Sequence, residues 1–356
     1  VNGPGAESNQ WHARRERGHP ALIRLMVFLS RWTGRRTTRL LLAPISLYFL
    51  LFVPAARRAS RDFLRQVHGR PPRLPDIYRH FHAFASTIHD RVFFLSGRFD
   101  AFEIEVEGGE CFEPPESAIL VGAHFGSFDV LRAMGRVERD LPISMMMYPE
   151  NARKIQRVLA AINPERARDI IPLGRIDSML EAGARLDQGE LIGMLADRSL
   201  DGDPMGTRPF FGHPARFAAG PFRMAAILRQ RLLFMAGIYL GGNRYLIHFE
   251  PLADFRHVSR RERSKAVEAA MDRYVERLEA LVREHPDNWF NFFDFWADAR
   301  DIPSRETDSQ EEESPTSDSD APRPPWPHPR SDHDPVDLPT FRRPAPVDPA
   351  PPDLRH

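Results

Sequence analysis

From Ala118 onward, short apolar runs alternate with longer amphipathic ones. Ala118–Gly122, Ile143–Tyr148, Asp169–Leu173 and Leu191–Ala196 have the length and apolar content of buried strands. Between them Val130 onward, Asn151–Ile162 and Ile176–Leu186 carry helical periodicity. Such alternation predicts an α/β fold, a mostly parallel central sheet flanked by helices. Phe102–Glu107 alternates apolar and acidic residues and reads as a half-exposed strand, and Leu232–Leu240 with Tyr245–Phe249 reads as a hairpin turning at Gly241-Gly-Asn243. Asp62–Arg98 is helical with a break at Gly69–Pro75; Ser259–Glu284 is a long amphipathic helix whose Ser259 and Glu262 form a capping box. Gly206–Pro221, rich in glycine and proline and carrying Phe210, Phe211 and Phe217, reads as a long loop able to line an apolar groove, with Gly212 and Gly220 allowing close backbone approach.

The stretch with chemistry joins the Ala118–Gly122 strand to the next helix: His124-Phe-Gly-Ser-Phe-Asp129. On one continuous helix, five steps of about 100° would leave His124 and Asp129 about 140° apart. A turn at Gly126 instead lets an Asp129 carboxylate in the first helical turn fold back onto the imidazole, making its other nitrogen a better base. Ser127 lies between them, three residues from His124, a spacing that disfavours a converging Ser-His pair on a tight turn. A bound substrate hydroxyl is the favoured source of the proton, with Ser127 as the alternative. In parallel sheets ligands gather at the carboxyl ends of strands. His124, Arg175 and Asp197-Arg198 each follow a predicted strand, so the fold is expected to bring them to one edge.

Leu40–Val53 is an apolar run flanked by Arg35, Arg36 and Arg39 before it and Arg57, Arg58 and Arg61 after it. Fourteen residues at 1.5 Å each reach about 21 Å, short of the ~30 Å hydrocarbon core, and Pro44 bends the run further. The expectation is a shallow or re-entrant helix at the membrane surface with arginines at the headgroups; the alternative is a buried core helix. From Ile302 on the chain has 6 basic against 12 acidic residues and 14 of the 33 prolines, a composition that predicts disorder. Three segments result: 1–61 membrane-associated and helical, 62–301 the α/β domain, 302–356 an acidic proline-rich tail.

Composition narrows the chemistry. The net charge is +0, but removing the acidic tail leaves a mildly basic body suited to an anionic membrane or a phosphorylated donor. A single cysteine, Cys111, excludes an intrachain disulfide and a multi-thiolate zinc site, and fits a reducing compartment. His80, His82 and His89 lack the carboxylate pattern of a metal centre. No basic and aromatic residues interleave in the manner of a nucleic-acid module.

A His, four residues and an Asp after an apolar strand resembles the first motif of the glycerolipid and lipid A acyltransferases. Leu195-Ala-Asp197-Arg198, Arg208-Pro-Phe-Phe-Gly-His-Pro-Ala215 and Gly220-Pro221 follow in the same order as in the lauroyl and myristoyl acyltransferases of bacterial lipid A synthesis. The closing aromatic block, Asn288–Trp296, is similar too, and is suited to an acyl channel wall, a membrane interface or plain core. The resemblance implies transfer of a fatty acyl chain from an acyl carrier protein or coenzyme A thioester, with no cofactor and no metal, to a hydroxyl or amine of a membrane lipid or glycolipid at the cytoplasmic face of the bacterial inner membrane. His124 is then the general base and Asp129 its orienter. Gly126, Ser127, Arg175, Asp197, Arg198, Phe211 and Gly212 form the substrate-binding set. Backbone amides near Gly126 or the Arg198 guanidinium are candidate oxyanion donors, and Arg175 either binds a phosphate or pairs with Asp169 or Asp177. Asp129, where lipid A enzymes more often carry Glu, leaves the acceptor open. The rival readings are a lipid hydrolase using Ser127 and a non-catalytic lipid-binding peripheral membrane protein.

Overall fold

A computed structural model describes residue 32 and residues 34–113, 116–131, 142–148, 169–173, 176–198 and 204–297. The helix expected over 151–162, Arg175 and the 302–356 tail lie outside the described residues. The chain opens with helices α1 (Arg35–Arg39), α2 (Leu42–Phe52), α3 (Pro54–His68) and α4 (Leu74–Leu95). Pro54 occupies the first turn of α3, where its missing N–H is not needed, and Gly69 ends the helix in a left-handed conformation at φ 62°. Pro75 opens α4, and the Asp76 carboxylate accepts the Arg73 N–H at 2.8 Å. The expected break at Gly69–Pro75 is thus a cap followed by a new start.

Strands β1 (Glu103–Glu107), β2 (Ala118–Gly122), β3 (Ile143–Met147), β4 (Ile170–Pro172) and β5 (Leu191–Leu195) follow, with helix α5 (Ile176–Asp187) between β4 and β5. Next come β6 (Met205–Phe210), β7 (His213–Ala218), α6 (Gly220–Leu228), β8 (Arg231–Gly241), β9 (Arg244–Asp254) and α7 (Arg263–Glu284). Seven strands form one sheet in the order β1-β9-β8-β2-β5-β3-β4, parallel throughout except for the β8–β9 hairpin. Helical cover on both faces explains why β2 is buried along its whole length. Ile119 and Val121 enter one apolar cluster with Phe222, Tyr274 and Trp289, while Ala118 and Leu120 enter a second with Phe94 and Tyr245.

Two expectations are corrected. Gly206–Pro221 is not a loop: β6 and β7 form a separate antiparallel ribbon whose Pro209 and Pro214 face each other. They sit one pair back from the closing pair Phe210–His213, at a position that uses no ladder N–H, so proline is tolerated there. The turn residues Phe211 and Gly212 have φ of 52° and 77°, both left-handed as a two-residue turn requires. Glu279 accepts the Phe211 N–H at 2.6 Å, and the Arg283 guanidinium lies 4.7 Å from the Phe211 ring centroid. The capping box at Ser259 also gives way, because α7 starts at Arg263 and the Ser259 hydroxyl donates to the Glu262 carboxylate at 2.6 Å.

In α2 only the stripe Leu42, Ser46 and Leu50 is buried, whereas Leu47, Tyr48, Phe49, Leu51 and Phe52 face outward. The buried-core alternative therefore does not hold. Among the described residues no single helix is long and apolar enough to cross a membrane; residues 35–52 and α3 meet at a 93° bend, and together they form a pair able to associate with one.

Gly126 carries the geometric load at the end of β2. Its φ is +61°, and a Cβ there would lie 2.0 Å from the Gly237 carbonyl oxygen. Gly126→Ala should therefore destabilise the protein by about 2 kcal/mol or more, since strain and overlap add. Denaturant unfolding checks this, and an unchanged midpoint would contradict it.

Candidate active site

The register of two neighbouring strands builds the site. In the parallel β2–β5 pair Gly122 is opposite Leu195, and the Ala196 N–H continues the ladder to the Gly122 carbonyl at 2.9 Å. The residues two places beyond each strand end, His124 and Asp197, are therefore brought side by side. Asp197 Oδ1 lies 2.8 Å from His124 Nδ1, and Oδ2 accepts the His124 backbone N–H at 3.0 Å. Oδ2 also accepts the Trp289 indole N–H and the Asn291 amide, each at 3.1 Å. The carboxylate is fully buried, while the His124 side chain is 34 % exposed. With Nδ1 occupied, Nε2 is the nitrogen left to meet a substrate.

Charge sets the protonation states. Burial alone would raise the Asp197 pKa, but the neighbouring His124, the hydrogen bonds it donates and the Arg198 cation together hold it well below the usual carboxylate range. Burial and then the Arg198 charge lower the His124 pKa, against the opposing pull of Asp197. At neutral pH the pair is a carboxylate and a neutral imidazole whose Nδ1–H donates to Asp197. That tautomer leaves a lone pair on Nε2, the requirement for a general base.

The 288–291 segment clamps this arrangement. The His124 carbonyl accepts the Phe290 N–H at 2.8 Å, and the Asn288 carbonyl accepts the Gly126 N–H at 2.8 Å. The Asn288 side chain pairs with the backbone of Tyr239, at 2.8 Å from its N–H and 3.1 Å to its carbonyl. Arg198 donates through Nε to Asn291 Oδ1 and through Nη2 to the Phe290 carbonyl, both at 2.7 Å, with its guanidinium 5.2 Å from the Phe293 ring centroid. Of the three environments open to the closing aromatic block, Trp289 takes the core, fully buried against Phe63, Phe210 and Phe295.

The expected convergence at the sheet edge is met by His124, Asp197 and Arg198. Three other expectations are corrected. Asp129 is not the carboxylate on His124: in the first turn of the helix after the loop it accepts Arg91 Nε of α4 at 2.7 Å. A helix start places its side chain according to its own axis, whereas the β2–β5 register presents Asp197 directly. Second, the amides of Phe125, Gly126 and Ser127 are already bonded to the carbonyls of Ala123, Asn288 and Gly237, which removes them as oxyanion donors. Third, Phe211 and Gly212 are not part of a loop but the tip of the β6–β7 ribbon, where Glu279 and Arg283 of α7 hold Phe211. Ser127 is buried, and among the described residues no hydrogen bond joins it to His124. Sequence reasoning placed Asp197 in the substrate-binding set and missed its role; the available signal was the matching pattern of apolar strand, alanine, then polar residue in Gly122-Ala-His124 and Leu195-Ala-Asp197.

A His–Asp pair at the carboxyl edge of a helix-covered parallel sheet, with Nδ1 on the carboxylate and Nε2 making no hydrogen bond among the described residues, has the geometry of a general base. The bacterial lipid A biosynthesis acyltransferase family model matches residues 93–297, and the chain belongs to that family. It is an acyltransferase. Among solved structures, the 1-acyl-sn-glycerophosphate (LPA) acyltransferase PlsC from Thermotoga maritima is similar at 20% identity over 69% of this chain and 98% of that one, with a TM-score of 0.33. No curated protein matches the sequence. The assignment rests on the family match.

The two aspartates should separate by mutation. Asp197→Asn removes the charge and the acceptor that set the imidazole tautomer, and should lower kcat by about 100-fold or more. Asp129→Asn frees Arg91 and should cost less than about tenfold. Steady-state kinetics on folded variants checks the order, and the reverse order would restore Asp129 as the partner of His124.

Proposed function

We propose that the enzyme moves a fatty acyl group from a thioester donor to a hydroxyl or amine of a membrane lipid or glycolipid, with His124 as general base and Asp197 as its orienter. The observation that carries this reading is the buried carboxylate on His124 Nδ1, which leaves Nε2 as the proton acceptor. Nε2 takes the acceptor's proton as its oxygen or nitrogen attacks the thioester carbonyl carbon. The tetrahedral oxyanion then collapses, the carbon–sulfur bond breaks, and the departing thiolate takes the proton from the imidazolium. Asp197 stabilises that imidazolium without itself being protonated. No acyl-enzyme forms, in keeping with a buried Ser127 not bonded to His124. Arg198 Nη1, which makes no hydrogen bond among the described residues, is the remaining candidate oxyanion donor. Asp129, held by Arg91, supports the loop from behind.

Thioesters of an acyl carrier protein and of coenzyme A are both suitable donors, and a basic body suits either. The outward apolar side of α2 fits insertion into the headgroup region of the cytoplasmic leaflet of a bacterial inner membrane. At roughly 1.5–3 kcal/mol per buried large side chain, the outward residues Leu47, Tyr48, Leu51 and Phe52 supply ample driving force. Arg58, Arg61 and Arg65 of α3 are exposed and spaced along one helical face, a charge pattern suited to anionic headgroups.

Lipid mass spectrometry of a deletion strain complemented with wild type or with His124→Ala tests the reaction. The expected result is one acyl chain missing from one lipid class in both the deletion and His124→Ala strains, and at least about a 100-fold loss of transfer in vitro. Identical lipid profiles in all strains would count against the reading. The pH profile adds a check: because the His124 pKa is lowered, the base is already neutral at pH 7, and kcat/KM should fall only as pH drops below the ordinary value of 6.5.

A further inference from the structure

Behind the active site, His80 of α4 is fully buried and has a defined hydrogen-bonding state. Its Nε2 is 2.9 Å from the Trp289 carbonyl oxygen, and its Nδ1 is 2.8 Å from Ser60 Oγ of α3. A carbonyl only accepts, so Nε2 carries the hydrogen. Burial pushes the His80 pKa down to about 4, so the ring is neutral and Nδ1 accepts from the Ser60 hydroxyl. The ring also packs on Phe292, at 4.6 Å between centroids, and on Phe63 at 5.4 Å. His80 therefore tethers the backbone of the very residue whose indole donates to Asp197. A continuous chain results: Ser60 to His80, His80 to the Trp289 carbonyl, the Trp289 indole to Asp197, and Asp197 to His124.

We propose that His80 is a positioning residue for acyl transfer: by holding the Trp289 carbonyl it sets the 288–291 strap, and through Trp289 and Asn291 the Asp197 carboxylate, against His124. The proposal rests on the acyl-transfer reading for its kinetic consequence. Ser60 and His80 belong to the helices that follow the outward apolar helix α2, so the same bonds tie the α3–α4 pair to the dyad. A purely structural histidine would contribute to folding alone. One that positions the dyad acts on the folded enzyme, because small displacements of a catalytic group cost rate steeply.

The test compares His80→Phe, which keeps ring volume but loses both hydrogen bonds, with His80→Gln, which keeps one donor and one acceptor. On folded protein, His80→Phe should lower kcat about 10- to 100-fold and leave the donor KM within about twofold, and His80→Gln should recover most of that loss. The imidazole titration of His124, read by NMR and assigned with His124→Ala, should move in His80→Phe and return in His80→Gln. Folded His80→Phe with wild-type kcat and an unmoved His124 titration would overturn the proposal. If His80→Phe does not fold, Ser60→Ala decides: a fewfold fall in kcat with a displaced titration supports the tether, and wild-type values for both overturn it. A wild-type enzyme with no transfer activity would count against the reaction, while the His124 titration would still judge the tether.

Discussion

A buried carboxylate is the point on which this structure turns. Asp197 has no solvent to stabilise its charge, so the protein must supply donors, and it supplies His124 twice, Trp289 and Asn291. Leaving such a charge unpaired would cost several kcal/mol, which is why the groups around it are held so closely. The donors come from two distant parts of the chain, the end of β2 and the strap after α7, and meet a carboxylate carried at the end of β5. Satisfying one carboxylate thus requires the sheet, the loop at Gly126 and the aromatic segment to be assembled together.

The same interaction gives the histidine its chemistry. A neutral imidazole with Nδ1–H committed to Asp197 has one basic nitrogen in one direction. Burial, and then the Arg198 charge, keep it neutral, and Asp197 stabilises the imidazolium once the substrate's proton arrives. These opposing influences suit a group that must accept and then return a proton within one turnover. Arg198 is itself held by Asn291 and the Phe290 carbonyl, so base and cation share one scaffold.

Aromatic packing and hydrogen bonding reinforce each other behind the site. Trp289 contributes a ring to the main core and an N–H to Asp197, and its carbonyl is taken by His80. Residues 288–291 of the aromatic block therefore hold the His124–Asp197 pair as well as the core, although nothing in their composition separates the two. Helix α2 gives the core only Leu42, Ser46 and Leu50 and turns most of its other large apolar residues outward.

Much of this was readable from the chain alone, because it depends on local periodicity and local turns. Alternating strands and helices, the break at Gly69–Pro75, the β8–β9 hairpin, the sharp bend at Gly126 and the placement of His124 at a strand end all follow from residues within a few positions of one another. The partner of His124 does not. Asp129 is near in sequence and Asp197 is 73 residues away, yet only the latter is delivered to Nδ1, because which strands become neighbours, and in what register, is a property of the assembled sheet. The β6–β7 ribbon escaped for a related reason: its prolines and the Phe211 turn are tolerated through pairing across the ribbon and through Glu279 and Arg283 of α7, contacts that no local window contains. The sequence by itself determined the class of fold, the base and the loop that carries it; tertiary structure decided which carboxylate orients that base and what holds the carboxylate, since those are long-range contacts that exist only once the sheet has closed.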